Sequence, residues 1–245
     1  MKTEKVENSA VLLKGSISRL ERTRRSHDFV LTKIQQQQIG LTALATAAAG
    51  IGSAGMGLIN MAGNSDEEAD WVEFELEGKQ LEGWLWLMPM RNGDKVEVVA
   101  KQIRQNHYLA YAVKRDSDDL LAVYPHATSG RKIHYRSSIK IWLWCTLILN
   151  LVTATLFVLP KGLSTLLDFD MQIFLLSGTI FLSLISAIIA FRVSQKLMGF
   201  VRIAEMIFKT FGWSDIESID LRKTSIENRI ENKLPNFGIF YFRYK

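Results

Sequence analysis

The sequence predicts an α+β membrane protein: a small antiparallel β-barrel, OB-like or SH3-like, a two-helix transmembrane hairpin, and a Gly/Ala-rich membrane-associated segment. Three observations predict it. Ile141–Leu159 and Met171–Phe191 hold 19 and 21 residues without a charge. Residues 71–124 alternate in short runs separated by turn residues. Ile34–Ser65 is also uncharged, but is built largely of Ala and Gly.

Each uncharged run, as a helix rising 1.5 Å per residue, spans roughly 30 Å, the thickness of a bilayer's hydrocarbon layer. The spans are therefore placed at residues 141–159 and 171–191, with Pro160, Gly162, Asp168 and Asp170 in the turn between them. Trp142 and Trp144 stand where indole rings favour the headgroup level. Arg136 and Lys140 precede the first span, Arg192 and Lys196 follow the second, and the turn sets Lys161 against two aspartates. This bias puts both outer flanks, and so the β domain and C-terminus, in the cytoplasm of a multi-pass protein of the bacterial inner membrane.

Composition fits that division. Of 245 residues 48% are hydrophobic and 22% charged, so long apolar runs coexist with ordinary soluble stretches. The net charge of +5, from 30 basic and 25 acidic residues, has much of its excess near the N-terminus and beside the apolar runs. That placement suits anionic lipid better than a nucleic-acid groove. Cys145 is the only cysteine, so no disulfide framework or Cys-based zinc site forms within one chain. Residues 1–16 lack the apolar core of a secretory signal peptide.

The barrel is expected over residues 66–130, from WVEFEL, QLEGWLWL, KVEVVA, HYLAYAVKR and LLAVY, with Asn92-Gly93 and Asp116–Asp119 as reversals. Residues 1–33 read as a basic segment with its own hairpin, GSISRLE and HDFVLT, so that the barrel domain is interrupted by 34–65. In residues 192–245 an apolar stripe from Val193 through Phe200, Ala204 and Ile207 to Phe211 marks an amphipathic helix, lying on the membrane or on the barrel. Ser214 and Glu217 have capping-box spacing for a short helix after Gly212, and FGIFYFRYK is a strand or an interface anchor.

Gly50 to Gly55 fits G-x-G-x-x-G. A dinucleotide fingerprint needs a strand before it and a helix after it within a βαβ unit. Here an Ala-rich run precedes it and an acidic linker follows. Gly50, Gly52, Gly55 and Gly57 are better used for close helix packing or a membrane-inserting bend. Ala and Gly bury little apolar area, and a crossing would strand the basic N-terminus opposite the barrel; a dip into the membrane is therefore favoured over a third span.

His27, His107, His126 and His134 form no metal-binding pair by spacing, and Asp66, Glu67, Glu68 and Asp70 read as a solvated linker face. No nucleophile elbow is present. Trp84, Trp86, Tyr108 and Tyr111 are the aromatics an OB-like nucleic-acid surface would use, but the domain lacks the basic footprint. The residues therefore point to no catalytic group, no cofactor, no metal and no nucleic acid.

GSISRLERTRRSHDFVLT, QQQQIGLTALATAAAGIGSAGMGLINMAG, GDKVEVVA and YLAYAVKRDSDDLLAVYPHATSGRK resemble a group of enterobacterial membrane proteins labelled type VI secretion system effectors. The likeness covers most of the first 135 residues and, more loosely, the apolar hairpin and FGWSDIESIDL. It implies delivery into a competing bacterium by a contractile apparatus; together with the spans and the Gly-rich segment, the expectation is a non-enzymatic effector that inserts in the target's inner membrane and perturbs it. The expected partners are the lipid bilayer, a type VI secretion component, a chaperone or cognate immunity protein, and other copies of the chain. The alternative is a resident immunity or scaffold protein whose barrel binds a protein partner.

Overall fold

The computed structural model describes residues 10–27, 29, 67–160, 162, 168–227 and 236–244. The chain divides into two compact units, Met1–Arg131 with Gly199–Lys245, and Lys132–Met198.

The first unit is a closed five-stranded barrel with two added strands and helical cover. Its strands are β1 (Val11–His27), β2 (Glu67–Leu76), β3 (Lys79–Leu85), β4 (Lys95–Arg104), β5 (His107–Arg115), β6 (Leu120–Val123) and β7 (Tyr241–Arg243). β1 makes closure possible by serving two neighbours: Val11–Ser16 pair with β4, and Ile17–His27 with β2. Near the start of the β2-paired half the register shifts between Ser18 and Glu21, where Arg19 has φ 52°, and the bulge bends the long strand round the barrel. β3 and β5 then close the ring as a parallel pair, Leu81 opposite Tyr108. Gly83 is needed beside that seam, since a Cβ there would lie 2.4 Å from the Ala110 carbonyl oxygen. This closed five-stranded barrel fits the OB-like expectation.

Three local expectations are corrected. GSISRLE is no hairpin arm but the middle of β1, whose partners lie far along the chain; of HDFVLT only His27 and Phe29 are described. LLAVY is not a barrel stave: β6 pairs outside the ring with β5 and with β7 from the C-terminal tail, and β1 is the fifth stave. The Asn92-Gly93 turn does not join a hairpin, because β3 and β4 are unpaired. Instead Asn92 accepts the Leu20 amide at 2.8 Å, and the Gly93 amide donates to the Ile17 carbonyl at 2.8 Å.

Apolar alternation explains the packing. Val72, Phe74, Leu81, Val96, Val98 and Val113 fill the barrel. Val99, Ala112, Leu121 and Val123 face outward, yet are buried beneath Ala204, Ile207 and Phe208 of the long helix and Phe242 of β7. KVEVVA and LLAV are apolar on both faces because both faces are covered. Burying Ile207 and Phe208 contributes about 1.5–3 kcal/mol each. The apolar stripe of 200–208 thus packs on the barrel, while Val193 stays exposed.

The helices are α1 (Arg131–Val158), α2 (Phe169–Thr210) and α3 (Leu221–Glu227). Both long helices outrun the uncharged segments 141–159 and 171–191. α2 closes in a Schellman motif, the Trp213 amide donating to Phe208 and the Gly212 amide to Lys209. Ser214 caps nothing there: Asp215, at φ 50° and without a side-chain cap bond, precedes a three-residue 3-10 turn, Ile216–Ser218.

Candidate functional site

In the second unit the apolar side chains that would form a core in a soluble hairpin are exposed. Trp144, Leu151, Leu156, Leu176, Phe181 and Leu184 are each at least 60% accessible. Of the most apolar 18-residue window, 6% is buried on α1 and 0% on α2. The two helices are long and apolar enough to cross a membrane.

Their polar groups are satisfied locally. Ser186 donates its hydroxyl to the Ser183 carbonyl at 3.0 Å, and so accepts from Trp142 Nε1 at 3.1 Å and from Thr146 at 2.9 Å. Asn150, Thr153, Thr155 and Ser177 all return their donors to backbone carbonyls three or four residues earlier. Such self-satisfaction is what a hydrocarbon solvent demands of polar side chains. At the charged end His134 Nε2 lies 3.1 Å from the Ser194 carbonyl and 3.0 Å from its hydroxyl; a carbonyl only accepts, so Nε2 carries the proton.

The sequence-predicted flank residues fall on these helices. Arg136, Lys140 and Arg192 are exposed, Lys196 is half-buried, and none has an ion-pair partner among the described residues. Trp144 is 66% exposed, whereas Trp142 commits its N–H to Ser186 across the hairpin. Gly50, Gly52, Gly55 and Gly57 lie outside the described residues. The ends of their segment are nevertheless informative: His27 pairs with Glu67 in the β1–β2 register. The chain thus leaves and re-enters one sheet at adjacent positions.

In the first unit the barrel carries a run of aromatic rings. His27 stacks on Trp84 at 5.0 Å, Trp84 meets Trp71 at 5.1 Å, and His126 lies against Trp86 at 5.0 Å and Phe200 at 5.1 Å. Glu67 pairs with His126, tying the start of β2 to the loop after β6. Of the aromatics suited to a nucleic-acid surface, Trp86 and Tyr108 are buried and Trp84 is half-exposed. Beside Trp71 and Trp84 the paired Glu73 and Glu82 make the β2–β3 face acidic, which repels phosphate.

Two buried carboxylates, Asp70 and Glu205, hold backbone and arginine groups in place. Buried Asp70 accepts from Arg24 at 2.9 Å and from the Met88 amide at 2.9 Å. Glu205 accepts from the backbone amide of Arg131 and from its guanidinium, capping the start of α1. The Arg131 hydrogen bonds hold the Glu205 carboxyl below its ordinary range despite burial. Among the described residues no three His, Cys, Asp or Glu side chains gather as metal ligands.

No protein-family model, curated protein or solved structure matches the chain. Sequence reasoning missed Ser186, the His134–Ser194 contact and the Arg131–Glu205 clamp. Their partners stand 40, 60 and 74 residues apart, where no spacing rule links them.

Proposed function

We propose that this is a type VI secretion-associated protein of the bacterial inner membrane. In this reading it is anchored by the α1–α2 hairpin, with the barrel in the cytoplasm, and acts on the bilayer without enzymatic chemistry. The observation that carries the membrane part is the exposure of large apolar side chains along both long helices. In this reading the hairpin supplies anchorage rather than a pore, since the hydroxyls of Thr146, Thr153, Thr155, Ser177 and Ser186 are bonded within the hairpin. Permeabilisation therefore depends on residues 34–65 or on assembly of several copies.

Induced expression with a voltage-sensitive dye tests it. The full chain should depolarise cells, and a chain lacking residues 34–65 should stay in the membrane fraction without doing so. A full chain that leaves potential and growth unchanged from either side of the membrane dismisses the effector reading. The second reading, a resident immunity or scaffold protein, is favoured by the half-exposed Trp71–Trp84 pair beside acidic residues, a surface suited to a protein partner. Protection of cells against a neighbouring toxin would establish it.

A further inference from the structure

Between the charged ends of α1 and α2 lies a groove of about 130 Å³, lined by Tyr135, Ile139, Trp142, Ala187, Ala190 and Phe191. Trp142 shows it an apolar face, because its N–H is taken by Ser186. At the outer end Gln195 donates to the Tyr135 hydroxyl at 3.3 Å. The groove runs for two helical turns, about 10 Å. It begins within the uncharged runs at Trp142 and Ala187 and ends among charged residues at Tyr135 and Ser194. It thus crosses from hydrocarbon depth to headgroup depth. An apolar cavity of roughly 150 Å³ holds a benzene-sized ligand, so this groove has room for a short length of hydrocarbon.

Cations flank it. Arg136 follows Tyr135, Lys140 follows Ile139, and Arg192 follows Phe191; each sits one residue round its helix from a lining side chain. All three are exposed and lack an acidic partner among the described residues. Basic groups bordering an apolar cleft between membrane helices suit an anionic lipid headgroup.

We propose that the groove holds part of one acyl chain of an anionic phospholipid, with its phosphate taken by Arg136, Lys140 and Arg192. This rests on the membrane reading above and adds to it a specific lipid site. The test is native mass spectrometry of the full chain released from nanodiscs containing phosphatidylglycerol and phosphatidylcholine with identical acyl chains.

Phosphatidylglycerol should be retained preferentially, and inorganic phosphate, which has the charge but no chain, should not displace it. Replacing Arg136, Lys140 and Arg192 by Gln should reduce the preference on the order of fivefold per charge. Ala190→Phe, which fills the groove, should lower retention of both lipids. Equal retention by the native chain, or an undiminished preference in the triple variant, overturns the site. The triple variant alters exposed residues only, so that result does not hinge on folding of the filled groove. A chain that integrates in nanodiscs with no preference refutes this site alone. One that stays monodisperse without detergent refutes the membrane reading as well.

Discussion

Tyr124 shows how one half-buried side chain limits the pH range over which the barrel holds. Burial pushes its hydroxyl up to about 12, and a charge on Tyr111 would add to the effect. An unfolded tyrosine titrates near pH ~10. Below that, both states keep the proton and the contribution is complete. As pH rises toward 12 only the unfolded state releases it, and stability falls by roughly 2–3 kcal/mol. Unfolding of the full chain in detergent should therefore show an alkaline limb. Tyr124→Phe should flatten that limb while changing stability at neutral pH by about 1 kcal/mol. An unaltered limb would refute the burial account. Acid acts with the opposite sign. Asp118 beside Arg115, and Glu205 beside Arg131, are held below their ordinary range. Their contribution is present above the unfolded carboxylate range and is lost as pH falls through the lowered folded values.

Among the elements, the α1–α2 hairpin depends on Ser186, which joins Trp142 and Thr146 across the two helices. Ser186→Ala removes both acceptor contacts and should cost about 0.6–1.7 kcal/mol, the range for hydrogen bonds between membrane helices. Reversible unfolding in mixed micelles measures it, and no loss would make the packing of Ala187 and Ala190 sufficient alone. The helices themselves were legible because an uncharged run needs no partner to be recognised. The strands from Trp71 to Tyr124 were legible from period-two alternation and turn residues. β1 was not: half of its 17 residues are exposed and charged or polar, and its two partners begin 40 or more residues later. The same limit hid His134–Ser194 and Arg131–Glu205, whose meaning depends on tertiary placement. The four glycines were legible as a pattern, but the chemistry such a pattern performs lies in its context.

For the whole molecule, sidedness joins the barrel's strand pairing to the charges of the hairpin. His27 and Glu67 are paired neighbours, so residues on both sides of the 34–65 segment share one side of any bilayer. In the proposed topology the basic flanks of α1 and α2 put that side in the cytoplasm, and two crossings would return the C-terminal tail to it. That return is also demanded by the tail itself, because β7 pairs with β6 in the same sheet. The β1–β2 pairing, the basic flanks and the β6–β7 pairing are all compatible with the proposed topology. Cys145 is the lone native thiol, so Cys145→Ser supplies a background for single-cysteine mapping. On it, Asp168→Cys in the hairpin turn should react with a membrane-impermeant maleimide in spheroplasts. Ser117→Cys, in the β5–β6 turn, and Lys245→Cys should react only after the membrane is opened. Labelling of Ser117→Cys in intact spheroplasts would reverse the orientation. Labelling of Lys245→Cys without Ser117→Cys would mean that the hairpin crosses once, which the β6–β7 pairing forbids.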